Sequence, residues 1–405
     1  MSSTPRGERL NIAIIGKRNA GKSSLINALV GQEIAIVSDV PGTTTDPVDK
    51  RYELLPLGPV TFFDTAGVDD TGELGKKRVQ ATQKILYRAD IAIFVSDGNA
   101  FHNAELKMIE KIREMELPLL IVFNKKDIIT ANPDNIAFCQ NNSLPYISVS
   151  SVTQEGINEC KEKLIQLSPQ YLKENRIIVG DLVNPGDSVI LVTPIDSSAP
   201  KGRLILPQVQ TLRDLLDRNC LVTVVQETEL KSALDKAKEP PELVITDSQV
   251  IETVAKIVPE EIPLTTFSIL FARYKGELNT LLEGINCLKT LQDGDKILIA
   301  EACSHNIQKD DIGRVKIPNW MQKFSQKKLS FEVYAGHDFP DNLEEYAVCI
   351  HCGGCMITPM EMNRKIMECR RRGVPVTNYG MTISLLQGVL ERTIKPLLKT
   401  KEKKD

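Results

Sequence analysis

Across 405 residues there is a single tryptophan, and aromatic residues make up only 5% of the chain. Basic and acidic residues nearly cancel, 50 Lys and Arg against 53 Asp and Glu, for a formal net charge of -3. A near-neutral chain without basic stretches interleaved with aromatic side chains has no field to hold a polyanion, so no nucleic-acid partner is expected. The short basic run from Lys395 to Lys404 reads as a solvated end. No apolar run approaches the roughly 20 residues that cross a bilayer. Met1 to Arg9 is polar and charged, without the apolar segment of a secretory leader. A cytoplasmic protein with no membrane partner is the expectation. A disulfide framework is not expected either. Nine cysteines is an odd number, and Cys303, Cys349, Cys352, Cys355 and Cys369 crowd the last third. That clustering points to metal ligation or redox work.

What is present is a strand–helix rhythm in three blocks, consistent with the two or three domains that the length implies. In the first, strands are expected at Leu10 to Ile15, Val60 to Phe63, Ile91 to Val95, Leu119 to Phe123 and Tyr146 to Val149, with helices such as Lys22 to Val30 and Ala104 to Met115. This pattern specifies a nearly parallel sheet with helices on both faces. The second block has strand patterns at Ser188 to Thr193, Leu221 to Val225 and Leu243 to Thr246, and helix patterns at Gln208 to Asn219 and Leu230 to Lys238. It carries no compact set of catalytic residues. The third opens with a helix pattern from Phe267 to Glu283, followed by strands at Lys296 to Ala300, Ser330 to Tyr334, Ala347 to Ile350 and Pro375 to Thr377. Boundaries are expected near Pro169 and between Pro259 and Pro263, dividing the chain into residues 1–171, 172–262 and 263–405.

Gly16-Lys17-Arg18-Asn19-Ala20-Gly21-Lys22-Ser23 has phosphate-loop spacing between an apolar strand and a helix. Gly16, Ala20, Gly21 and Ser24 belong to the turn whose amides face phosphate, and the helix N-terminus adds positive potential. Lys22 is suited to the β/γ-phosphates and Ser23 to magnesium. Asn124-Lys125-Lys126-Asp127 selects the base. Asp127 can accept from both the N1–H and the 2-amino group of guanine, whereas adenine would leave the carboxylate unpaired. Asn124 can tie this loop to the phosphate loop. Ser150, Ser151 and Val152 follow the last strand and offer amides to the guanine O6. Asp64 and Gly67, in Asp64-Thr65-Ala66-Gly67, supply a carboxylate behind magnesium and an amide beside the γ-phosphate. Thr44, within the loop Pro41 to Asp46, is the candidate for a second magnesium ligand. The cofactors expected are GTP or GDP and Mg2+.

Cys303-Ser304-His305 and His351-Cys352-Gly353-Gly354-Cys355 form a sparse ligand set, each expected just past the end of a strand, where open parallel sheets place their sites. Three chemistries compete. Zinc needs four N or S ligands, which Cys303, Cys352, Cys355 and one of His305 or His351 supply. A [4Fe–4S] cluster prefers four thiolates, and three leave one iron open. A redox dithiol would use Cys352 and Cys355 alone. His305 and His351 each either ligate metal or hydrogen-bond to sulfur. Cys349 and Cys369 read as packed thiols, and His102 and His337 as ordinary polar residues.

Residues 10 to 160 resemble the bacterial small-GTPase group that includes the tRNA-modification and ribosome-assembly GTPases. Val68 stands where Ras-like proteins place a catalytic glutamine, which implies slow intrinsic hydrolysis. Asn19 matches the asparagine with which potassium-activated members of this group hold K+, so the resemblance implies a potassium-stimulated GTPase. Together with the CxH and HCxxC segments, the whole chain resembles the [FeFe]-hydrogenase maturation GTPases, the HydF family. That resemblance implies an α/β architecture: a P-loop GTPase domain with a mostly parallel sheet, then two smaller α/β domains, for dimerisation (172–262) and for cluster binding (263–405). It implies a [4Fe–4S] cluster on Cys303, Cys352 and Cys355 and a homodimer. It also implies a scaffold or carrier role towards apo-[FeFe]-hydrogenase, with the radical-SAM maturases HydE and HydG upstream. The alternative is a ribosome- or tRNA-associated GTPase with a structural zinc domain. A GTP-gated thiol oxidoreductase is a third reading.

Overall fold

The computed structural model describes residues 6–31, 49–54, 57–65, 73–169, 176–195, 204–302, 311–336 and 339–398. Thr44 and the rest of the loop Pro41 to Asp46, together with Gly67, Val68, Cys303, His305 and His337, lie outside the described residues. The chain divides into two compact units, Met1–Asn175 and Arg176–Asp405.

The first unit is built on a six-stranded sheet of β1 (Leu10–Gly16), β2 (Asp49–Leu54), β3 (Gly58–Asp64), β4 (Ile91–Ser96), β5 (Leu119–Phe123) and β6 (Tyr146–Ser148), in the order β2-β3-β1-β4-β5-β6. Every pair is parallel except β2 with β3. The central strands β1, β4 and β5 are buried at every position, as expected for strands covered by helices on both faces. Alternation divides their side chains between two cores. Ile12, Ile14, Ile93 and Val122 pack on one face with Leu25 and Leu164. Ala13, Ile15, Phe94 and Phe123 pack on the other with Ile85 and Ile109. The antiparallel β2 carries the polar sequence DKRYEL, which gives no apolar run to read.

The second unit holds two all-parallel sheets of four strands. One comprises β7 (Ser188–Val192), β8 (Leu221–Val225), β9 (Leu243–Thr246) and β10 (Leu264–Thr266), ordered β10-β9-β7-β8. The other comprises β11 (Lys296–Glu301), β12 (Ser330–Ala335), β13 (Val348–His351) and β14 (Val376–Asn378), ordered β12-β11-β13-β14. Because β10 pairs with β9, the first of these sheets continues past residue 262. The helix pattern from Phe267 to Glu283 is broken at Gly276 into helices Phe267–Lys275 and Leu278–Ile285. One hydrophobic core runs through both sheets, joining Ile190 and Ile245 to Ile299 and Ile350 with Ile269, Leu270 and Phe271 of the intervening helix. Among the described residues no helix is long and apolar enough to cross a membrane.

In the third sheet the chain steps from β11 outward to β12 and then returns to the other side of β11 to form β13. The crevice beyond the carboxyl ends of β11 and β13 is therefore a topological switch point, the place where α/β sheets bind ligands.

Candidate functional site

The nucleotide motifs gather at the carboxyl ends of β1, β3, β5 and β6. Gly16 is fixed by packing, since a Cβ there would lie 2.1 Å from the Val95 carbonyl oxygen. Gly21 has φ near +89°, and its Cβ would meet Asn124 Nδ2 at 2.3 Å. Asn124, buried, donates from Nδ2 to the carbonyls of Ala20 (3.2 Å) and Gly21 (3.3 Å). Its Oδ1 accepts from the amide and hydroxyl of Ser151, at 3.2 and 2.9 Å. One side chain thus ties the phosphate loop to both base-binding segments. Lys22 Nζ donates to the carbonyls of Gly16 (3.0 Å) and Lys17 (2.7 Å), and the Ser23 hydroxyl donates to Asp64 Oδ2 at 3.0 Å. Asn19 and Ser24 are exposed, Asn19 with φ near +63°. Lys125 also takes a left-handed φ, Asp127 and Val152 are exposed, and Ser150 is buried and caps Thr153 through its hydroxyl.

One anchor of this site was not read from the sequence. Lys17, inside the phosphate loop, pairs with Glu105 at 2.8 Å, and the Glu105 carboxylate is almost wholly buried. Glu105 also accepts from the His102 amide at 2.9 Å, at the head of helix Asn103–Glu114. The spacing of a helix cap and a glutamate three residues on is the available signal for that half of the contact. His102 accordingly serves as a helix cap.

At the switch point of the third sheet, Ala300 is in register with His351. His351 is the last residue of β13 rather than the first residue beyond it. The ladder continues past the strands. The Cys352 amide donates to Ala300 O at 2.8 Å, and the Ala302 amide donates to Cys352 Sγ at 3.1 Å. A second amide, of Gly354, reaches the same sulfur at 3.5 Å. Gly354 has φ near +64°, which turns the loop so that Cys352 and Cys355 share it. Burial pushes the Cys352 thiol up to about 11, with the neighbouring Cys355 adding to the shift and the two amides opposing it. Burial also raises Cys355, opposed first by the charge of Lys275.

His351 is 1% exposed. Its Nδ1 lies 2.7 Å from Cys352 O, so Nδ1 carries the proton and Nε2 keeps a lone pair, for which the described residues offer no partner. Burial drives this imidazole down to about 3, with Lys365 adding to the effect. Cys349 and Cys369 are both buried. The contact with Cys369, and burial, hold the Cys349 thiol well above its ordinary range. No group of three or more His, Cys, Asp or Glu residues is gathered around a common point among the described residues.

The surroundings of the Cys352 loop were also not legible in the sequence. Lys275 ends helix Phe267–Lys275 and turns inward. Asn378 caps helix Tyr379–Leu386, accepting from the Met381 amide at 2.9 Å, and donates to Ser268 O, also at 2.9 Å. Ser268 Oγ in turn accepts from the Gly380 amide at 3.1 Å. The Tyr379 hydroxyl is buried without a hydrogen-bond partner among the described residues. Single polar residues of this kind read as solvated until tertiary contacts place them.

Three family models match the chain in succession. A 50S ribosome-binding GTPase model covers residues 11–125, the hydrogen maturase F dimerization domain covers 178–276, and the hydrogen maturase F tetramerization domain covers 279–396. The tRNA modification GTPase MnmE of Chromobacterium violaceum is 35% identical over 162 residues, 40% of this chain and 35% of that protein. GTPase Der of Wolinella succinogenes is 36% identical over 172 residues, 40% of this chain and 36% of that protein. The chain thus spans about a third of the length of these curated relatives. Among solved structures, the G domain of the T. maritima FeoB iron transporter is 26% identical, with a TM-score of 0.30 over 40% of this chain and 99% of that one. The two hydrogen maturase F models together account for more than half of the chain and lie directly after a GTPase domain. The chain belongs to the hydrogen maturase F family.

Proposed function

We propose that the chain is a GTP-hydrolysing iron–sulfur scaffold and carrier, which assembles the diiron active-site precursor and delivers it to apo-[FeFe]-hydrogenase. The observation that carries this reading is the hydrogen bond from the Ala302 amide to Cys352 Sγ. Cys303 follows Ala302 directly in the sequence, so the third thiol is one peptide link from a group bonded to the first. The donor set fits a [4Fe–4S] cluster on Cys303, Cys352 and Cys355. Two thiols share one loop, amides already point at sulfur, and the buried His351 Nε2 has a lone pair without a donor among the described residues. When bound, a cluster on three thiolates offers one iron as a point of attachment for the diiron cargo. His305 and His351 are the candidates beside it, as ligands or as hydrogen-bond partners to sulfur.

In the first unit, Lys22 would exchange its two carbonyl partners for the β/γ-phosphates, with Ser23 and Thr44 on magnesium and Asp64 behind it. The Gly67 amide would meet the γ-phosphate. Asn124, Lys125 and Asp127, with Ser150, Ser151 and Val152, would hold guanine, and Asn19 would hold a potassium ion against the phosphates. Nucleotide turnover would change partner affinity through the segments Pro41 to Asp46 and Gly67 to Gly75. HydE and HydG would be the donors of cargo.

A homodimer would form along β8. This edge strand of the second sheet exposes both faces, Leu221 at 67% and Val224 at 41%. An exposed apolar edge is a template for pairing with a second copy.

Protein from cells that also contain the two radical-SAM maturases should activate purified apo-hydrogenase, and the Cys303→Ala protein prepared alongside should not. Full activation by Cys303→Ala would reject the scaffold reading.

A further inference from the structure

Lys17, the second residue of the phosphate loop, is held from two sides. Its carbonyl accepts from Lys22 Nζ at 2.7 Å and from the Ala20 amide at 3.4 Å. Its ammonium lies 2.8 Å from Glu105 Oε2, with the Glu105 side chain 1% exposed and that of Lys17 13%. The same oxygen accepts from the His102 amide at 2.9 Å, at the head of helix Asn103–Glu114. Glu105 Oε1 is buried and has no hydrogen-bond partner among the described residues.

A helix cap does not account for this arrangement, because a glutamine closes such a cap as well as a glutamate does. A buried carboxylate with one oxygen unbonded is costly, and a cation beside it is what makes it tenable. The charge on Glu105 therefore answers to Lys17 and not to the helix. When phosphates draw Lys22 away from the loop carbonyls, Lys17 loses the shorter of its two carbonyl contacts. Its ion pair does not depend on Lys22. Asn124 holds the far side of the same loop through Ala20 O and Gly21 O. The loop is thus pinned at Lys17 by a charge and at Gly21 by an amide.

We infer that Lys17 and Glu105 are positioning residues for nucleotide binding, and that their ion pair holds the phosphate loop in its binding shape and slows the release of GDP. The inference rests on the phosphate-loop reading above. Neither side chain has to touch the nucleotide. With both ends of the loop fixed, its amides are preorganised around the phosphates; freeing one end adds conformations in which they point elsewhere. Affinity lost in this way appears mainly in the dissociation rate.

The test follows release of a fluorescent GDP analogue from the full chain by stopped flow, in magnesium. Glu105→Gln keeps an acceptor for the His102 amide and removes the charge, and Lys17→Met removes the cation. Each should speed release by at least about tenfold. The double variant should release no faster than Glu105→Gln alone, because the two changes break one interaction. Lys17→Arg retains the charge and should fall nearer the wild type than Lys17→Met. Ile112→Val, a buried change further along the same helix, should lower thermal stability and leave release unchanged. A merely structural ion pair would behave like Ile112→Val. Glu105→Gln leaves no buried carboxylate behind and carries the test if Lys17→Met does not fold. Unchanged release in Glu105→Gln, or single effects that multiply in the double variant, would overturn the inference and leave the nucleotide site intact. A wild-type chain that binds no GDP would overturn both.

Discussion

Gly21 and Asn124 are packed so closely that a single added carbon at Gly21 would lie 2.3 Å from Asn124 Nδ2. Asn124 in turn holds Ser151, so the phosphate loop and the guanine loops are one mechanical assembly. Gly21→Ala should cost the domain about 1–3 kcal/mol through overpacking at a left-handed residue and abolish tight GDP binding. Gly31→Ala has the same kind of φ, near +72°, but meets nothing within 4 Å among the described residues, so it should pay the backbone strain alone and keep its affinity. Thermal unfolding and titration with a fluescent GDP analogue separate the two.

The proposal gives base choice to Asp127, which faces solvent. Asp127→Asn presents an amide donor to the 2-amino group of guanine and should lose GTP affinity by roughly 100-fold or more. Xanthine carries an oxygen at that carbon, so XTP should bind the variant better than GTP does. Competition titrations report the order, and an Asp127→Asn protein that still prefers GTP would remove Asp127 from the base site.

Asn19 stands exposed at the tip of the phosphate loop in a left-handed conformation. GTP turnover in potassium should exceed that in sodium by at least about tenfold, ~1.4 kcal/mol of transition-state stabilisation, and Asn19→Ala should erase the difference. Equal rates in the two salts would count against the ion.

Leu221 and Val224 are already solvent-exposed on an edge strand, so charging them should cost under about 0.5 kcal/mol of monomer stability. Leu221→Lys with Val224→Lys should nonetheless shift sedimentation towards the monomer. A dimer that survives the pair lies on another surface.

His351 provides a pH dependence with a defined sign. Its folded-state value, about 3, is depressed by burial below the usual 6.5. Between those values the unfolded chain binds the extra proton. Its contribution is therefore constant above about pH 6.5 and is lost as pH falls. For cluster-free protein, urea unfolding of the second unit should show about 2 kcal/mol more loss from pH 7 to pH 5 than in His351→Phe. Equal losses would mean that the imidazole titrates freely in the folded state.

The local motifs were legible because their chemistry is contiguous. A strand, a glycine turn and a helix follow one another in residues 10–30, and the structure supplies each. The central strands could be read from unbroken apolar runs, whereas the polar edge strand β2 could not. β10 is three residues long, and its place in the second sheet depends on β9 and not on its own sequence. The contact of Lys17 with Glu105 was invisible for a related reason. A lysine announces a surface by default, and only the arrival of the buried Glu105 carboxylate shows the place that Lys17 takes. Cys352 and Cys355 were legible as a pair from spacing. The bond from the Ala302 amide to Cys352 required two strands to be laid side by side.

The proposed scaffold requires a cluster held by Cys303, Cys352 and Cys355. The most direct measurement is the EPR spectrum of the anaerobically reconstituted, dithionite-reduced protein beside that of Cys303→Ala. A [4Fe–4S]+ signal in the wild type that collapses in the variant is the predicted result. Stoichiometric, tightly bound zinc with no cluster signal would contradict it and leave a GTPase with a structural metal site.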